Sequence, residues 1–213
     1  CSVQEEVRMT ERYHHGDLRD ALLNAATGML AETGPSGLSL REAARRAGVS
    51  TGAPYRHFKD KDELLTALAT RGFLALHAAL GAADVHAAAA APLERLRCLG
   101  VAYVEFAVTE PALFRLMFGE LAPSMDASPE LADAIRLAGA HLPRAAQAVQ
   151  AELRSASTED ITLLAWSVVH GVASLYLDGH LRAFERKGEA GGAGVAERVT
   201  RALVAAISGA SAS

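Results

Sequence analysis

Apolar residues recur along most of the chain at helical spacing, with polar residues filling the intervals. Leu18, Leu22, Ala25, Ala26, Met29 and Leu30 share one face. Asp17 stands where an N-cap belongs, so a first helix is expected to start near it. Gly34-Pro35 ends that helix, and Gly37 extends the turn. Ser39 to Glu42 has the S-x-x-E spacing of a capping box and opens a short helix predicted over 40–47, closed at Gly48. A third helix is predicted from Ser50 or Thr51 to about Phe58. Its start cannot lie much earlier, because Pro54 is harmless only in a first turn. Asp60 then caps a long helix carrying Leu64, Leu65, Leu68, Phe73, Leu76 and Leu80. The Ala-rich stretch 81–92 reads as a helix end plus a loop. Further helices are predicted over 93–109, 111–121, 130–154, 158–177 and 195–207, with Pro143 kinking or dividing the third of these. Residues 1–13 lack apolar periodicity and read as a flexible arm, and 188–194 as a loop. No strand-like alternation exceeds four residues. The pattern predicts an all-α chain.

Composition agrees. Among 213 residues there are 45 Ala and only 3 Ile, a bias toward helices over sheets. Half the residues are apolar and 22% are charged, which excludes disorder throughout. Two cysteines, Cys1 and Cys98, do not make a disulfide framework and fit a reducing compartment. No signal-peptide core precedes the first helix, and no uninterrupted apolar run approaches the roughly 20 residues of a membrane span. A soluble cytoplasmic protein with no membrane partner is expected.

The net charge of −4 excludes a polyelectrolyte binder, so any nucleic-acid site must be local. One such locality exists. Residues 40–59, LREAARRAGVSTGAPYRHFK, hold two short predicted helices joined by a tight turn. Ala44 is small enough for a close crossing, Gly48 can take a positive φ, and Val49 is an apolar plug just past the turn. A helix-turn-helix needs those residue types at those offsets. Residues 35–61 carry a net +4, leaving −8 for the remainder. A positive motif on a negative body is the layout that a phosphate-binding face requires.

Within such a motif the start of the second helix meets base edges in the major groove. That places Ser50, Thr51, Gly52 and Ala53 at the bases, with Tyr55, Arg56 and His57 on the next turn. Arg56 can grip guanine or phosphate, and Arg41 is the other candidate for a guanine. Lys61, at the next helix start, is a candidate phosphate clamp. Arg12, His14 and His15 could touch DNA from the arm. Arg45 and Arg46 are as well explained by a solvated helix face.

Catalytic and metal signatures are missing. There is no H-E-x-x-H, C-x-x-C or glycine-rich phosphate loop, and the histidines lack ligand spacing. Neither enzyme, metal site nor cofactor is expected.

The sequence resembles the tetracycline-repressor-like (TetR/AcrR) family of transcriptional regulators. The resemblance is carried by Ala-Gly-Val-Ser at 47–50, Ala-Pro-Tyr-Arg-His-Phe at 53–58 and Lys-Asp-Lys-Asp-Glu-Leu-Leu at 59–65. The leader Tyr-His-His-Gly-Asp-Leu-Arg at 13–19 is similar to one branch. Trp-Ser-Val-Val-His-Gly-Val-Ala at 166–173 resembles that branch's effector domain, known for a Trp-His-Gly signature. Two positions depart: Gly52 puts no large side chain at the recognition-helix start, and Pro54 replaces a branched aliphatic.

The resemblance implies an N-terminal three-helix helix-turn-helix domain, residues 1–60, and a C-terminal helical effector-binding and dimerisation domain, residues 61–213. It implies phosphate contacts from Tyr55 and His57. It implies a homodimer on an operator of palindromic half-sites, located on the nucleoid when bound, and a cavity for a small, mainly apolar effector that releases DNA. Aromatic and sulfur side chains cluster at Tyr103, Phe106, Phe114, Met117, Phe118, Met125 and Trp166, with His170 one turn from Trp166. All but Met125 are candidate cavity residues, although such stripes are more often plain core. The helices 158–177 and 195–207 are apolar on more than one side, so they need more than one packing partner. The family's four-helix dimer bundle would supply it, with Leu163, Ser167, Val168, Leu175, Leu203 and Ile207 as interface candidates. The rival reading is a constitutive or architectural DNA-binding protein with no effector cavity.

Overall fold

The computed structural model describes residues 3–153, 156–185 and 191–209, with the backbone alone for residues 3–17 and 153. Among the described residues all regular structure is helical. The helices are α1 (Val3–Thr33), α2 (Leu40–Arg46), α3 (Lys61–His86), α4 (Pro92–Thr109), α5 (Pro111–Phe118), α6 (Pro129–Gly139), α7 (His141–Leu153), α8 (Thr158–Leu177) and α9 (Gly191–Gly209).

Several expectations need correction. α1 begins at Val3, not near Asp17, and takes in most of the expected arm. Residues 3–16 offer no apolar face to a periodicity search, yet Gln, Glu, Arg and Met are good helix formers. Side chains before Leu18 lie outside the described residues, and with them the DNA contacts expected of Arg12, His14 and His15. The long helix α3 runs to His86 and a turn follows, in line with the helix end plus loop expected over 81–92. α9 starts at Gly191, inside the expected loop. The division expected of Pro143 within 130–154 is found, at Ala140, three residues before it. Ring and missing N–H together forbid a continuous helix there.

α1, α2 and the start of α3 form one small unit around Leu22, Ala26, Leu40, Ala44, Phe58 and Leu64, all buried. Arg71 ties α3 back to α1 through Asn24 Oδ1 (2.7 Å). α5 packs under α1 and α3. α4 is the central helix of the remainder and touches α3, α7, α8 and α9. Its Gly100 permits this crowding: a Cβ there would lie 2.9 Å from Thr200 Cγ2 and 3.0 Å from Val169 Cγ1. The buried residues of both halves belong to one continuous core.

By length and composition, α3 and α8 are long and apolar enough to cross a membrane, which a search for unbroken apolar runs does not register. α3 turns its apolar face into the core, from Leu64 to Leu80. α8 does so only on one side, leaving Leu163, Leu164 and Leu175 exposed.

Candidate functional site

Two places bring the candidate residues together: an exposed N-terminal face and a partly open cavity.

The face is organised by the turn after α2. Gly48 takes a φ of 71°. Its N–H donates to the Arg45 carbonyl (3.2 Å), and the Val49 N–H to the Ala44 carbonyl (3.0 Å). Those two bonds make a Schellman motif, with Val49 folded back beside Ala44. The expected capping box at α2 is not formed. Ser39 makes no side-chain cap bond, and the Glu42 carboxylate reaches forward to Arg45 (2.7 Å) and Arg46 (3.1 Å) rather than back to Ser39. The N-cap device appears one element later: Asp60 accepts from the Glu63 N–H (2.9 Å), and Glu63 accepts from the Lys59 N–H (2.6 Å).

The predicted third helix is a shorter object. Thr51 and Gly52 form a turn, and Ala53–Arg56 is a single 3-10 segment. Pro54 is the cause. It has no N–H to return to Ser50, so the Ala53 N–H closes on Ser50 (3.0 Å), and His57 and Phe58 both donate to the Pro54 carbonyl (2.9 Å each). Pro54 and Phe58, four residues apart, point inward and are fully buried. Pro54 thus fills the site of the aliphatic it replaces. Arg19 lies over the Phe58 ring at 5.4 Å. Ser50, Thr51, Gly52, Tyr55 and Arg56 are exposed on the outer side, while Ala53 and His57 are half-buried.

The cations divide into two groups. Arg45 and Arg46 are held in ion pairs, Arg46 bridging to Glu32 of α1 at 2.7 Å. Hydrogen bonds from both arginines push the Glu42 carboxyl down to about 2, so it stays ionised and offsets one of them. Arg41 and Arg56 are exposed and, among the described residues, form no ion pair. Lys61 Nζ donates to the Ser36 carbonyl (2.7 Å), tying α3 to the turn after α1. Two of its three N–H bonds remain for a phosphate.

The cavity has a volume of about 310 Å³ and lies in the α3–α9 half, at the low end of the usual range for small-molecule sites. α3 supplies Phe73, Leu76 and Leu80; α4 supplies Leu96, Arg97, Leu99, Gly100 and Tyr103. α6 and α7 contribute Ile135, His141 and Leu142, and α8 contributes Thr162, Trp166 and Val169. Thr200, Leu203 and Val204 close it from α9.

Of the seven expected cavity residues, Tyr103, Phe118 and Trp166 line it. His170 stands behind the wall. Its Nδ1 lies 2.9 Å from the Tyr103 hydroxyl, and its ring lies tilted against Phe114 at 5.5 Å and edge-to-face with Phe118 at 5.0 Å. Phe106, Phe114 and Met117 are buried core, and Met117 packs where α5 crosses α3 at Gly72. Burial lowers the His170 pKa and raises that of Tyr103, the nearby Trp166 indole partly offsetting the latter. The sequence reading missed His141, whose Nε2 is 2.9 Å from His77 Nδ1, and Arg97. His77 and His141 are 64 residues apart, and no local spacing signals the pair. Among the described residues no group of three His, Cys, Asp or Glu could hold a metal ion.

Two interface candidates are taken up inside the chain: Leu203 faces the cavity and Ile207 is buried core. Leu163, Ser167 and Leu175 are exposed on α8, and Val168 is half-buried.

Residues 22–68 match the family model described as bacterial regulatory proteins, tetR family. Residues 96–203 match the tetracyclin repressor-like C-terminal domain. Among solved structures the chain is similar to a Rhodococcus sp. RHA1 protein of unknown function, with 35% identity, 92% of this chain and 95% of that one covered, and a TM-score of 0.74. It is similar to a bacterial regulatory protein in the tetR family, also from Rhodococcus RHA1, with 26% identity, 89% and 96% coverage, and a TM-score of 0.64. The fatty acid degradation regulator FadR of Bacillus halodurans shares the fold at 14% identity, 87% and 94% coverage, and a TM-score of 0.69.

Proposed function

The chain belongs to the tetR family of bacterial regulatory proteins, DNA-binding regulators of transcription, and from that premise we propose that it acts as a homodimeric repressor. It occupies an operator of two inverted half-sites and is released by a small, mainly apolar effector. The division of labour falls near residue 60, with DNA binding before it and effector binding and dimerisation after it. Trp166, His170 and Gly171, on one stretch of α8, support assignment to the branch with the Trp-His-Gly signature.

One observation carries the reading. α3 is a single uninterrupted helix of 26 residues. Its first turn is fixed to the DNA-facing unit through the Asp60 cap and the Lys61–Ser36 bond. Its middle presents Phe73, Leu76 and Leu80 to the cavity. A ligand that fills the cavity better in one tilt of α3 than in another shifts the spacing of paired headpieces, and only such differential affinity can shift the equilibrium.

On the DNA, Ser50, Thr51, Gly52 and Ala53 meet base edges, Arg41 and Arg56 supply forked donors, and Tyr55, His57 and Lys61 hold phosphates. Exposed Leu163, Ser167 and Leu175, with Val168, supply the α8 side of the dimer. The presence of a cavity bordered by Trp166 weighs against a constitutive or architectural protein.

The test is selection of bound duplexes from a random library at stated salt, followed by a reporter placed behind the selected site. Two inverted half-sites and lowered reporter output are expected. Failure to retain any duplex in a salt-sensitive manner refutes the DNA role, and raised reporter output refutes repression.

A further inference from the structure

We propose that the cavity is selective for an uncharged apolar ligand with at most one hydrogen-bond-donating group, and that the Glu94–Arg97–Glu197 cluster in its wall excludes carboxylates. This rests on the effector reading above and narrows it to a chemical class.

The cavity has polar side chains in its lining, yet the surface it presents is almost wholly apolar. Their polar atoms are largely bonded within the wall. Arg97 gives Nε and Nη2 to the two oxygens of Glu94 (2.8 and 2.6 Å) and Nη1 to Glu197. Thr200 and Thr162 donate to the carbonyls of Ala196 and Thr158, each at 2.7 Å. Tyr103 is bonded to His170, and His141 to His77, each at 2.9 Å. What the threonine hydroxyls keep is lone pairs, which accept.

A carboxylate accepts only, and the strongest donor in the lining, Arg97, already gives three of its five N–H bonds to Glu94 and Glu197. It would also have to displace Glu94 from a bidentate grip on Arg97, the strong form of such a pair. The arginine's charge is more than matched: Glu94 and Glu197 both face it, and Arg201 lies 3.6 Å from Glu197, which brings the cluster to neutrality. An organic cation gains nothing from a neutral cluster and loses its hydration. An alcohol or phenol needs one acceptor and little hydration is lost, so it suits the wall.

Trp166 lines the cavity and is the sole tryptophan, so its emission reports occupancy. Three probes of equal chain length separate the cases at neutral pH: decanol, decanoate and decylammonium. Decanol is expected to change the Trp166 emission saturably, with both ions at least about tenfold weaker. Glu94→Gln frees the Arg97 donors and is expected to strengthen decanoate by about tenfold while leaving decanol unchanged. Glu197→Gln serves the same end should the first variant fold poorly. If either ion binds the unaltered protein as well as decanol does, the inference is overturned while the cavity reading stands. It is overturned likewise if neither variant gains decanoate. If none of the three probes perturbs Trp166, the effector reading itself falls, and the inference with it.

Discussion

Gly48 is the sharpest point at which to test the turn that sets the DNA-facing segment. Its φ of 71° lies in the left-handed region, and a Cβ built there meets no heavy atom within 4 Å. Gly48→Ala therefore introduces no clash, and its whole effect is conformational. An L-residue in that region costs about 1–2 kcal/mol. The unfolded chain of the Ala variant is stiffer, which offsets about 0.4–1 kcal/mol. The net loss should be about 1 kcal/mol, a fall in Tm of about 2–4 °C for a chain of this length. Gly48→Asn should recover part of it, because asparagine enters the left-handed region more readily than alanine. Far-UV circular dichroism during heating gives the stability ranking Gly, Asn, Ala. Fluorescence anisotropy with the selected duplex at fixed salt should give the same ranking for DNA affinity, since the Schellman turn orients Ser50 to Arg56. If Ala is as stable as Gly, or Asn is no better than Ala, the positive φ is not what the position requires.

Other expectations follow from the same geometry. Tyr55→Phe with His57→Ala should weaken the selected duplex and a random duplex by a similar factor, because phosphate contacts carry no sequence information; unchanged random-duplex affinity would contradict the assigned role. Arg41→Ala should instead cost about 1–3 kcal/mol at one base pair, read from a panel of single-base variants, and a uniform loss across the panel would make it a phosphate ligand. Burial depresses His141 and His170, with His77 and Arg144 adding to the former and Asp84 opposing. Both fold as neutral rings, so their contribution is complete above the unfolded value of about 6.5 and is lost as pH falls through it toward the lower folded values. The urea midpoint should therefore drop between about pH 7.5 and 5, less so in His141→Gln/His170→Gln, and a midpoint that rises on acidification would reverse the argument. Sedimentation at micromolar concentration should find a dimer, converted to monomer by Leu163→Glu with Leu175→Glu; a monomeric starting protein would remove the half-site reading.

The fold was legible wherever one face of a helix is apolar and an end is chemically marked. α8 runs from Thr158 to Leu177 as its apolar run indicates, and Asp60 opens α3. Legibility failed at the start of α1. The sequence of residues 3–16 carries no apolar periodicity, so only helix propensity could have signalled it. Around residue 54 the motif was read correctly and the geometry was not. Loss of a single N–H converts an expected helix into a turn and a 3-10 segment, and the same side chains still face outward.

The cavity exposes a deeper limit, for pattern identifies large apolar side chains but not the space between them. α9 shows how this misdirects. Its large residues at 203 and 207 invite an intermolecular role, yet burial in the chain's own core or cavity wall satisfies them first. The side of α9 left exposed is Ala202, Ala205 and Ala206 beside Arg201. Small residues on an exposed helix face permit an axis-to-axis approach at the short end of about 8–10 Å. If α9 joins α8 in the dimer, its contribution is closeness and not bulk, and the large contacts come from the leucines of α8. The polar cavity residues follow a similar rule. His141 gave no sign in the sequence because its partner His77 is distant along the chain, and Arg97 with Glu94 three residues before it reads as an ordinary surface pair until Glu197 joins them. Those partners take up polar atoms of the lining, and the surface that the cavity presents is almost wholly apolar.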